Sequence, residues 1–79
     1  MSLTIEFFQS LAEYANENWK GSFTKSEVRE NAETYFSDWV YSNEHGEPTE
    51  TIKFLIDNLI EDSKAGIEKA REFLEMLGR

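Results

Sequence analysis

The side chains best equipped for chemistry here are one histidine and sixteen carboxylates, with no cysteine to add thiolate chemistry. His45 stands in Glu44-His45-Gly46-Glu47, where an imidazole and two carboxylates could contribute to a metal site. Such sites usually need three or four ligands, each held by outer hydrogen bonds, and no Glu-x-x-His or His-x-x-Glu-His pattern supplies them. Gly46 and Pro48 put this histidine in a loop, so the plainer reading is a solvated side chain. The pairs Glu61-Asp62 and Glu30/Glu33 could hold a divalent cation. As a hydrolytic acid and base they would have to face each other across a cleft, whereas on helices they point to water.

Nucleophilic chemistry has less support. Serines occur at 2, 10, 22, 26, 37, 42 and 63, but none lies in a Gly-x-Ser-x-Gly elbow. The four glycines, at 21, 46, 66 and 78, are scattered and form no phosphate-cradling loop. The expectation is a non-enzymatic protein with no cofactor and no metal.

The charge limits the partners. The chain of 79 residues carries a net charge of −8. Residues 1–40 contribute −4, residues 41–62 contribute −5 and residues 63–79 contribute +1. Nucleic-acid affinity comes from neutralising phosphates with Lys and Arg, so most of this surface would repel a polyanion. Lys20, Lys25 and Arg29 gather around one turn and could touch phosphates in a helix-turn-helix arrangement. Glu27, Glu30 and Glu33 occupy the helix surface that would then enter the groove. No apolar run exceeds three residues, and no positively charged leader precedes the first acid, Glu6. No membrane contact is expected, and the default localisation is cytoplasmic.

The elements that must carry these residues are helices. Apolar residues make up 39% of the chain and aromatics 14%, too much for a disordered chain. The expected fold class is all-α, one domain over residues 1–79. Helix 1 is predicted from about Thr4 to Trp19, with Ile5, Phe8, Leu11, Ala12, Ala15 and Trp19 on one side. Glu6, Glu13 and Glu17 line the other side. Gly21 is a candidate left-handed cap. Thr24 and Glu27 fit a capping box, flanked by Phe23 and Val28 at hydrophobic-staple positions. They start helix 2, predicted from Lys25 to about Ser42, with Val28, Phe36 and Trp39 in the core. Helix 3 begins near Thr49, behind Pro48, on the stripe Ile52, Leu55, Ile56, Leu59 and Ile60.

Beyond Ser63-Lys64-Ala65-Gly66, the residues Ile67, Ala70, Leu74 and Leu77 continue that stripe almost in phase. The phase favours a small bundle of three helices, the last one long or kinked near Gly66. A break there gives four helices instead. An unbroken helix would be about 43 Å long, at 1.5 Å per residue. A compact domain of this size is only about 30 Å across. The overhang would leave Phe73, Leu74, Met76 and Leu77 for a second subunit, which suggests a homodimer. Tyr41 and Phe54 lie off the apolar stripes and form a second candidate contact patch. These six residues are the candidate interface of a protein–protein interaction or regulatory module, acidic and soluble. Two alternatives are an acidic nucleic-acid-mimicking inhibitor and a small helix-turn-helix DNA binder.

Overall fold

Helix α1 spans Ile5–Asn18 and begins at Thr4, whose extended backbone makes it the N-cap. The computed structural model describes residues 3–19 and 21–78. Lys20, one of the three bases considered for phosphate contact, lies outside them. Phe7, Phe8, Leu11, Ala12, Tyr14 and Ala15 of α1 are buried, so the apolar side read from the spacing is the packed side. Gly21, the candidate cap, is needed for room: a Cβ there would come within 2.9 Å of the Asn16 Cα. Asn16 holds the following turn through its side chain. Its Oδ1 accepts from the Phe23 N–H at 3.1 Å and its Nδ2 donates to the Phe23 carbonyl at 3.4 Å.

Helix α2 spans Lys25–His45 and starts on the capping box the sequence predicts. The Glu27 N–H donates to Thr24 Oγ1 at 3.2 Å, and the Thr24 N–H donates to Glu27 Oε1 at 2.9 Å. The helix runs about a turn further than Ser42. It stops where Gly46 turns left-handed, at φ +73°. Only Ala32 and Ser42 of α2 are fully buried. Val28, Phe36 and Trp39 face the core as expected but are only half-buried against it.

Helix α3 spans Glu50–Lys64 and is capped by Thr49, whose hydroxyl accepts from the Ile52 N–H at 3.3 Å. Buried Ser42 ties this cap to α2: its hydroxyl donates to the Asp38 carbonyl at 2.8 Å and accepts from the Thr49 N–H at 3.1 Å.

Of the two forms the spacing allows for the last helix, the chain takes the broken one, not the continuous one that phase favours. α3 ends at Lys64, and a separate helix α4 covers Glu68–Met76. Between them Gly66 sits at φ +94°. The Ile67 N–H reaches back to the Asp62 carbonyl at 3.1 Å, and the Gly66 N–H to the Ser63 carbonyl at 3.0 Å. Those two bonds are the Schellman pattern, which satisfies the last carbonyls of α3 and reverses the chain. The fold therefore has four helices, with no strand among the described residues.

The reversal folds α4 back onto α1. Phe73 packs edge-on against Phe7 at 5.6 Å and Tyr14 at 5.4 Å. Phe8, fully buried, lies near Phe36 at 5.7 Å and Trp39 at 6.2 Å, which joins α1 to α2. Principal extents of 30 × 30 × 22 Å leave no overhang for a second subunit to cover. No helix of the described residues is long and apolar enough to cross a membrane.

Candidate functional site

The six candidate interface residues divide into two groups. Phe73, Leu74 and Leu77 are 4%, 8% and 6% exposed, packed in the chain's own core. Their expected availability to a second subunit is overturned, because the turn at Gly66 brings them inward. Tyr41, Phe54 and Met76 are 52%, 54% and 48% exposed and remain on the surface. Phe23 and Val40, which the off-stripe argument did not single out, are also exposed. Asn16 ties down only the backbone of Phe23, whose side chain lines a groove, and Val40 lies on α2.

Phe54 is the best supported of these side chains. Its ring meets Trp19 edge-on, with centroids 5.9 Å apart. Trp19 is itself fixed, since its indole Nε1–H donates to Asp62 Oδ2 at 2.8 Å. The same oxygen accepts from the Tyr14 hydroxyl at 2.7 Å. Asp62 thus joins α3 to the end of α1, and Trp19 packs between Tyr14 and Phe54. Burial, then the hydrogen bond to Asp62 and its negative charge, push the Tyr14 phenol well above its ordinary value.

This use of Asp62 separates it from Glu61, so the two do not form a paired-carboxylate site. Glu61 is exposed on the outer face, while Asp62 is half-buried and turned inward. Among the described residues no group of three or more His, Asp or Glu side chains is placed to hold a metal ion. His45 stacks on Tyr41, with ring centroids 3.9 Å apart and planes 17° from parallel. Its Nδ1 lies 3.0 Å from the Tyr41 carbonyl. That is a local platform at the end of α2 in which neither Glu44 nor Glu47 takes part.

The acidic row of α1 is less isolated than its spacing suggests. Glu13 and Glu17 form one wall of a groove of about 410 Å³ between α1 and α2. Lys25 and Arg29 line the same groove, with Phe23 and Val28 on its apolar side. A phosphate-like row would be partly neutralised there. Elsewhere every carboxylate except Asp38 and Asp62 is exposed. The ion pairs among the described residues are Lys53–Glu50 and Arg71–Glu68, each at 3.8 Å and on the surface, where such pairs contribute little.

Comparison with family models, curated proteins and solved structures finds no match for this chain.

Proposed function

We propose that this protein is a non-enzymatic module that works by binding another protein through its exposed apolar side chains. One observation carries the reading. The four helices bury a continuous core, yet Phe54, the most exposed large apolar side chain described, stays 54% exposed on an otherwise acidic helix face. Its ring packs edge-on against Trp19 and is otherwise open, and aromatic side chains are enriched in protein interfaces. Tyr41, near the end of α2, and Met76, at the end of α4, are further exposed apolar side chains.

Self-association loses its motive with the break at Gly66, so the proposed partner is a different protein. The rival readings have less support. For a nucleic-acid mimic, the α1 row is offset by Lys25 and Arg29 across the groove. For a helix-turn-helix reader, Glu27, Glu30 and Glu33 are exposed on α2 where phosphates would lie.

Quantitative capture from the source cell tests the proposal. Phe54→Ala, Tyr41→Ala and Met76→Ala are each compared with the wild type and with a surface control, Glu30→Lys. At least one apolar truncation should reduce a saturable partner at least about fivefold, as truncating an anchor does. Identical capture by all four variants would refute the reading.

A further inference from the structure

We infer that the outer face of α3 docks onto a cationic protein surface that carries an apolar pocket, with Phe54 as the inserted anchor. The inference rests on the protein-binding reading and names the chemistry of the partner. At about 100° per residue, Glu50, Phe54, Asp57 and Glu61 fall within roughly 60° of one another on α3. All four are exposed. They span about 16 Å along the helix at 1.5 Å per residue. One aromatic ring therefore stands among three carboxylates. Lys53 and Lys64 lie at one margin of the face, and Lys53 is drawn to Glu50 at 3.8 Å.

The anchor is held before any partner arrives. Asp62 fixes the Trp19 indole at 2.8 Å, and Trp19 supports one edge of Phe54 at 5.9 Å. A ring already held in place loses little freedom on binding, which favours its use as a contact. The Asn58 amide donates to the Phe54 carbonyl at 2.8 Å, one turn on, so the local backbone is tied as well.

Charge complementarity selects the occupant. A second copy would bring its own −8 charge and the same three carboxylates against this face, and juxtaposed like charges cost affinity. Nucleic acid and anionic lipid are repelled for the same reason. A basic protein surface is attracted, and its rim cations would surround the ring while the ring fills an apolar pocket.

The test is an amide-resolved NMR titration of the whole chain with three short peptides. One is an amphipathic Lys/Leu helix, one is all Lys, and one is the Glu/Leu counterpart. The Lys/Leu peptide should perturb the amides around Glu50, Phe54, Asp57 and Glu61 together with the Trp19 indole. The all-Lys peptide should bind more weakly, and the Glu/Leu peptide should not bind. Phe54→Ala, and the pair Asp57→Lys with Glu61→Lys, should each weaken the Lys/Leu complex at least about tenfold. The pair Glu30→Lys with Glu33→Lys changes net charge equally and should leave affinity within about twofold, as rim charges far from a contact do.

Equal weakening by both charge pairs would reduce the effect to net charge and overturn the inference. So would a footprint elsewhere, or shifts on α3 that track the protein's own concentration and mark a second copy. If Tyr41→Ala or Met76→Ala abolishes binding while Phe54→Ala does not, the α3 inference fails and the protein-binding reading stands on another face.

Discussion

Replacing Asp62 with alanine probes the arrangement that positions both the bundle and its exposed anchor. The carboxylate accepts from two donors through one oxygen, Tyr14 Oη–H at 2.7 Å and Trp19 Nε1–H at 2.8 Å. Tyr14 is buried, Trp19 and Asp62 half-buried. A hydrogen bond to a charged group contributes about 1.5–3 kcal/mol, with the low end suited to partly exposed partners. Two such bonds give a loss of about 3 kcal/mol, a large share of the stability of a domain this small. At about 4–8 °C per kcal/mol for a chain of this length, the Tm should fall by roughly 12–24 °C. Circular dichroism at helical wavelengths measures it, with Glu61→Ala as control. Glu61 is exposed and one residue away, so its removal should change stability by no more than about 0.5 kcal/mol. The Trp19 indole N–H resonance should also move in Asp62→Ala, and the Phe54 ring should lose its fixed seat. If Asp62→Ala melts with the parent, the two hydrogen bonds do not hold α3 to α1.

The remaining predictions concern the helix ends and alkaline pH. Gly66→Ala meets no neighbouring atom within 4 Å, so its cost is the left-handed backbone alone, about 1–2 kcal/mol by urea unfolding; an unchanged midpoint would place the turn elsewhere. Thr24→Ala removes the acceptor of the Glu27 N–H and should cost about 0.5–2 kcal/mol in the same assay. Tyr14 holds its proton more tightly folded than unfolded, so its contribution is intact below pH about 10, the unfolded value, and is lost as pH rises beyond it. Urea midpoints should therefore fall between pH 9 and pH 11, and fall less in Tyr14→Phe; equal slopes for the two proteins would contradict the assignment.

How much of this was legible depends on whether the signal was local. The capping box at Thr24 and Glu27 involves residues three apart, and it stands as the sequence predicts. The break at Gly66 was obscured because α4 re-enters the same core after the Schellman turn, so Ile67, Ala70 and Leu74 stay nearly in register with the α3 stripe. Phase cannot tell a continuous helix from one that folds back onto the same core, and the glycine in the left-handed position was the real signal. Asp62 was hidden differently: its partners are 48 and 43 residues away in sequence. Its place beside Leu55 at the edge of the apolar stripe, with Glu61 on the opposite side, was the available hint. Phe54 was legible as an exposed off-stripe aromatic. Its support by Trp19 was not, because that contact depends on how α1 and α3 pack.

A photoreactive amino acid at position 54 in the living source cell, read against the same substitution at position 30, tests the central claim most directly. Both positions are exposed and helical, but only position 54 carries a large apolar side chain in the native protein. The account predicts a discrete cross-linked species from position 54 that is absent or much weaker from position 30, and whose second component is a basic protein. Equal cross-linking from both positions, or no adduct from position 54, would contradict it.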